Sequence, residues 1–235
     1  ETLARLTPHV RSARILPLVH FSVADWRADP CAVAARVAAQ SWSAAPLIVR
    51  SSARSEDSAH ASGAGRYLSV ANVGREALAD AVGRVIASYG AAADDDQVLV
   101  QPMLSGISVS GVAFTRDPNT GSSYVVINYD DRGDPTAVTG GRADKLNTFI
   151  CWKHGGGRCP AELRPVLDLL SELEGHLLHD SLDVEFAVDA TGLVLLQVRP
   201  LVAGQRPAIK LDTQKRALQA DRKSTRLNSS HGYIS

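Results

Sequence analysis

The stretch that most constrains this chain is 182–200, LDVEFAVDATGLVLLQVRP. Two runs of alternating residues, 182–189 and 193–199, flank Ala190-Thr191-Gly192, a pattern that predicts a β-hairpin. A three-residue loop ending in a left-handed glycine suits Gly192. Such a loop pairs Asp189 with Leu193, Glu185 with Gln197 and Asp183 with Arg199. Directly opposed residues share a face, so four polar side chains are expected on one patch, beside Leu193 and Leu195. Leu182, Val184, Phe186 and Val188 take the opposite face of the first strand. Two chemistries fit that patch. One is a solvated sheet face whose cross-strand ion pair contributes little. The other is a site where carboxylates hold a divalent cation and arginine meets phosphate: Mg²⁺ is usually held by one or two carboxylates plus substrate phosphates, and arginine forks onto phosphate oxygens. The spacing leaves both open.

With 235 residues, 45% hydrophobic and 21% charged, the chain has the makings of an ordinary globular protein of one large or two small domains. Its zero net charge argues against a nucleic-acid-binding surface. No apolar run reaches the length of a membrane span, and the start carries no signal-peptide pattern. Cys31, Cys151 and Cys159 are odd in number and unsuited in spacing to a zinc site. A reduced, cytoplasmic protein is expected. Because the first residue is Glu1, the sequence reads as a fragment. Residues 221–235 (DRKSTRLNSSHGYIS) change style abruptly and read as a non-native tail resembling adapter read-through. The expected organisation is one domain over 1–205, a linker over 206–220 leading to further domains, and that tail.

Along the chain, residues 1–12 predict a short helix ended by Pro8, and 15–21 an edge strand broken by Pro17. Asp29-Pro30 opens an alanine-rich helix to about residue 41. Pro46 introduces a buried strand, 47–49, that delivers Arg50. The polar stretch that follows, RSSARSEDSAHASGAG, contains the small-residue run Ala61 to Gly65. It is either a plain surface loop or a place where backbone N–H groups approach phosphate. It is neither a Walker A loop nor a dinucleotide fingerprint. Amphipathic spacing predicts helices over 75–89, stopped by Gly90, and over 161–178, with Pro165 in the first turn. Strands are expected at 97–103, 109–115, 124–129 and 148–153, and Asp94-Asp95-Asp96 reads as a solvated turn. Arg116 to Gly121 (RDPNTG) makes a hairpin turn. His176 and His179, three apart, are expected to face solvent rather than chelate a metal.

Four ordered motifs, VRSSARSED with ASGAG, SGVAFTRDPNTG, LDVEFAV and LLQVRPL, resemble the nucleotide-binding domain of the pyruvate, phosphate dikinase and phosphoenolpyruvate synthase family. The resemblance runs from near the start to Val202. It implies an α/β (α+β) ATP-grasp-like fold of mixed and antiparallel sheets with packed helices, its N-terminal lobe incomplete. It implies ATP and Mg²⁺ as cofactors, and phosphoryl transfer from ATP to a histidine on a separate carrier domain. On this resemblance Arg50 and Arg199 are the catalytic contacts to the phosphates. Ser62, Gly63, Ala64 and Gly65 form the lid over them. Asp183 and Glu185 lie near nucleotide and metal, and Gln197 lines the phosphate end. Arg116 and Asp117 fall in a matching motif whose purpose turn chemistry alone could supply.

The chain also departs from the family. In relatives a glycine-lysine motif precedes the first helix, and ETLARL resembles that helix with the lysine just cut off; the lid is shorter. Asn128-Tyr129-Asp130-Asp131 stands where relatives carry Gly-Leu-Gly-Glu. The carrier histidine and the phosphoenolpyruvate/pyruvate-binding domain lie outside this sequence. The expected function is therefore the ATP-dependent half of a phosphotransferase. The alternatives are a non-catalytic, regulatory nucleotide-binding module, or a dikinase acting on another acceptor.

Overall fold

Pro17 divides the apolar run at 15–21 between two sheets. In the computed structural model, which describes residues 2–52, 68–131, 146–153 and 159–201, the run becomes β1 (Arg14–Ile15) and β2 (Val19–Ser22). β1 lies parallel to the last strand of a six-stranded sheet, whereas β2 is the edge of a four-stranded antiparallel sheet. The single edge strand read from sequence is thus a crossover. Proline has no N–H for a ladder, so pairing stops there and can restart elsewhere.

The smaller sheet has the order β2, β5 (Gln97–Pro102), β3 (Leu47–Ser52) and β4 (Ser69–Val73). Helices α2 (Val23–Ala28), α3 (Pro30–Ala38) and α4 (Leu78–Ser88) accompany it. Asp29 caps α3 by accepting from the Ala32 amide, with Pro30 in the first turn. α4 follows a short 3₁₀ turn at Arg75–Ala77, and just beyond its end Gly90 takes a left-handed φ of 72°. Leu47, Val49, Val98 and Val100 pack against Val33, Val37, Val82 and Val85 as one core. Sequence alternation misses two elements here. α2 is six residues held by a Ser22–Asp25 capping box, and β4 is SVANV, mostly exposed and without apolar alternation. The aspartate run at 94–96 is also more than a solvated turn. Asp96 is buried, and the carbonyls of Asp96 and Asp94 accept from the Val23 and Ala24 amides.

The larger sheet has the order β1, β10 (Gly192–Pro200), β9 (Leu182–Asp189), β6 (Val109–Phe114), β7 (Tyr124–Asp130) and β8 (Asn147–Trp152). Every pairing but β1 with β10 is antiparallel. α1 (Thr2–Leu6) and α5 (Arg164–Leu177) supply its second core, in which Leu163, Leu169 and Leu173 meet Val184, Phe186 and Leu195. Pro165 sits in the first turn of α5, as expected. The class is therefore mixed α/β, with one antiparallel and one mixed sheet, each carrying helices. Among the described residues, no helix is long and apolar enough to cross a membrane.

Strand β3 positions the site. Leu47 and Val49 are fully buried in the smaller core, so period-2 geometry sends Ile48 and Arg50 to the other side. Arg50 pairs in register with Leu99 of β5, and Leu99 packs into the larger sheet's core. The strand therefore aims Arg50 at the six-stranded sheet.

Candidate functional site

The 182–200 segment is a hairpin, but its turn is tighter than its sequence suggests. Asp189 pairs with Gly192, not Leu193, across the two-residue loop Ala190-Thr191. The Asp189 carboxylate accepts from the Thr191 amide at 2.8 Å and from its hydroxyl at 2.6 Å. A one-residue shift at Leu196 then restores Glu185 opposite Gln197 and Asp183 opposite Arg199. The expected pairs therefore form, although the expected loop does not. A bulge also reverses the alternation on its strand. Leu193 and Leu195 consequently enter the core with Val188 and Phe186 instead of flanking the polar patch.

The bulge does a second thing. The carbonyl of Leu196 accepts from Arg50 Nη1 at 3.4 Å, and Arg50 Nη2 donates to Glu185 Oε2 at 2.5 Å. Arg199 Nε donates to Asp183 Oδ2 at 2.9 Å. Arg50 is only 6% exposed and Asp183 only 9%. Two guanidinium groups and two carboxylates thus meet where the sheets face each other. Of the sequence-derived candidates, Arg50, Asp183, Glu185, Gln197 and Arg199 are brought to this one place. Ser62, Gly63, Ala64 and Gly65 lie outside the described residues.

Burial pushes the Asp183 carboxyl above its usual range, and neighbouring Glu185 adds to the rise; Arg199 opposes both. The charge on Asp183 is therefore incompletely satisfied by its partner, and a cation at this carboxylate pair would relieve it. Two oxygen-rich carboxylates plus phosphate oxygens are what Mg²⁺ ordinarily takes, so the residues fit that ion. Among the described residues, no group of three or more His, Cys, Asp or Glu side chains is arranged for a metal. His176 faces Glu172 at 3.8 Å and His179 Nδ1 accepts from the Ser181 amide, so the two histidines form no chelate.

The RDPNTG turn stands apart from the charged cluster. Asp117 accepts from the Asn119 amide at 2.9 Å and from the Thr120 hydroxyl at 2.5 Å, bonds that hold its carboxyl below the usual range. Arg116 donates to the Gly121 carbonyl at 3.3 Å and to Ser123 Oγ at 3.1 Å, and forms an ion pair with Asp180. Turn chemistry accounts for Asp117. In the Asn128–Asp131 stretch, Asn128 accepts from the Thr148 hydroxyl at 2.8 Å, and Asp130 is almost fully buried. The three cysteines are free thiols.

Sequence reasoning missed the Leu196 carbonyl. Val194, Leu195 and Leu196 are all apolar, so the change of phase between them leaves no mark in the pattern.

No curated protein sequence matches the chain. Among solved structures, the D-alanine-D-alanine ligase of Helicobacter pylori is similar at 13% identity and a TM-score of 0.47, over 86% of this chain and 54% of the ligase. D-alanyl-alanine synthetase A of Vibrio cholerae is similar at 12% identity and a TM-score of 0.45, over 83% and 52% of the respective chains. ATP citrate lyase of Methanothrix soehngenii is similar at 13% and 0.46, over 77% and 43%. The chain spans about half the length of these structures. Residues 30–93, which include Arg50, match the family described as pyruvate phosphate dikinase, AMP/ATP-binding domain.

Proposed function

We propose that this chain is the nucleotide-binding unit of a cytoplasmic, ATP- and Mg²⁺-dependent phosphotransferase of the dikinase type. In this reading it passes a phosphoryl group from ATP to a histidine on a separate carrier domain. The observation that carries it is the pairing of Arg50 with Glu185 and of Arg199 with Asp183 where the two sheets face each other.

Phosphoryl transfer asks a protein mainly for positioning and charge neutralisation. Arg50 and Arg199 would meet the phosphates, while Asp183 and Glu185 would hold Mg²⁺, with Gln197 beside them. The metal's chemistry is neutralisation of charge on the phosphate oxygens. Arg50 is carried on a buried strand, which fixes the place from which its charge would be presented for electrostatic stabilisation. In the free protein each arginine is occupied by a carboxylate. With nucleotide bound, Arg50 and Arg199 would turn from these carboxylates to phosphate oxygens, which would leave Asp183 and Glu185 to hold the metal.

The test is calorimetric titration of ATP with Mg²⁺ into the unaltered chain, Arg50→Ala and Arg199→Ala, together with phosphoryl transfer in the presence of a carrier domain. Losing one such contact should slow transfer on the order of a hundredfold. Unchanged transfer in both variants would overturn the reading. ATP binding without transfer to any histidine-bearing domain would instead favour a regulatory nucleotide module.

A further inference from the structure

The RDPNTG motif is not explained by the charged cluster, yet its arginine reaches the segment leading into the strand that carries Asp183 and Glu185. Arg116 follows β6 after Thr115, and its guanidinium joins two segments: the Gly121 carbonyl and Ser123 hydroxyl of its own turn, and Asp180 just before β9. Its Nε is buried and has no partner among the described residues. Asp180 is more than half exposed, so the pair by itself adds little to stability. Its geometric effect is larger, because Asp180 sits in a bundle of converging bonds. The Asp180 carbonyl accepts from the Thr115 hydroxyl at 3.1 Å and from Lys153 Nζ at 2.9 Å, and Lys153 in turn pairs with Glu174 of α5. The same Thr115 hydroxyl accepts from the Leu182 amide at 2.8 Å. On the far side, the Leu201 amide donates to the Ser181 carbonyl at 2.8 Å.

Residues 180–182 are thus held by Thr115 just after β6, Lys153 just after β8 and Leu201 just after β10. Asp183 is the next residue along β9, and Arg199 lies opposite it. We propose that Arg116 is a positioning residue, which through Asp180 fixes the first turn into β9 and so sets Asp183 against Arg199. The geometric part stands on these contacts alone; its consequence for ligand binding rests on the nucleotide-site reading above. Arg116 reaches neither carboxylate of the cluster by any described hydrogen bond, so its effect there is indirect.

The experiment uses the full chain and two variants, Arg116→Ala and Asp180→Asn; the second removes only an exposed charge and guards against misfolding of the first. Proton exchange at the Arg199 Nε–H, which donates to Asp183, is read by NMR beside the backbone amides of β3 and β5. The expected result is Arg199 Nε–H exchange about tenfold faster, with amide protection in the smaller sheet unchanged. Mg²⁺–ATP affinity should fall about tenfold in Arg116→Ala, yet Arg116→Ala combined with Asp183→Asn should bind no worse than Asp183→Asn alone. Unchanged Arg199 exchange in both folded variants overturns the proposal. So does a uniform loss of protection across both sheets, which would make Arg116 a general stabiliser, and so do additive effects on affinity. If exchange accelerates selectively while ATP binds no variant and not the unaltered chain, the positioning relation stands and the nucleotide reading falls.

Discussion

Arg50 and Glu185 are 135 residues apart in sequence and 2.5 Å apart in space, one on each sheet. Arg50 is almost wholly removed from water, and its charge is met by that carboxylate and by the Leu196 carbonyl. A buried guanidinium is tolerable only when so paired. The same contact therefore joins the two sheets.

Breaking the pair from one side should be costly. Arg50→Ala leaves Glu185 without its arginine, and unfolding free energy should fall by about 3 kcal/mol. Replacing both, with Arg50→Met and Glu185→Leu, should recover most of that loss while abolishing ATP binding. Urea denaturation of the single and double variants measures it. A double variant no more stable than Arg50→Ala would show that the pair is not the source of the effect.

Asp183 gives stability a pH dependence of definite sign. Its folded-state pKa is raised above the ordinary value of 3.8 by burial, so the folded chain binds this proton more readily than the unfolded one. That contribution is fully present below the unfolded pKa and is lost as pH rises through the folded one. Asp183→Asn cannot ionise. Relative to the unaltered chain it should therefore gain stability as pH is raised from below 3.8 toward neutrality. Urea midpoints of both proteins across that range test this, and parallel curves would contradict it.

Deleting Leu196 should remove the bulge while preserving the pairs on either side of it. Leu195 already faces Phe186, and Gln197 already faces Glu185, so the strand can close into a regular ladder. The fold should survive, but Arg50 loses its carbonyl partner and its fixed aim. A drop of about tenfold in Mg²⁺–ATP affinity, with circular dichroism unchanged, is the expected outcome.

Leu178 ends α5 at φ 50° with its side chain 91% exposed. A left-handed backbone strains a residue with a Cβ, and glycine relieves that strain at helix ends. Leu178→Gly should stabilise the chain by about 1 kcal/mol, seen as a rise in Tm. A lowered Tm would mean that the leucine makes a contact worth more than the strain.

Much of the fold is legible locally. Asp29-Pro30, Gly90 and the apolar stripes of α4 and α5 announce those helices because capping and 3.6-residue periodicity are properties of neighbours in sequence. β4 and α2 are less legible. The first is held by pairing to β3 rather than by apolar alternation, and the second is too short for a stripe to develop. Pro17 shows the same limit from the other side: it marks a break in pairing, but which sheet each half joins depends on partners far along the chain.

By itself the sequence determined which residues share a face on the unbulged strands, where most helices start and stop, and that Asp183, Glu185, Gln197 and Arg199 lie together on one hairpin. Tertiary structure decided that Asp189 closes on Gly192, that Leu196 bulges to restore the polar register, and that Arg50 arrives from another sheet to meet Glu185 and the freed carbonyl. The reason is physical. Alternation reports the face a residue takes, but three consecutive apolar residues carry no phase, and no local pattern records which distant strand a charge must neutralise.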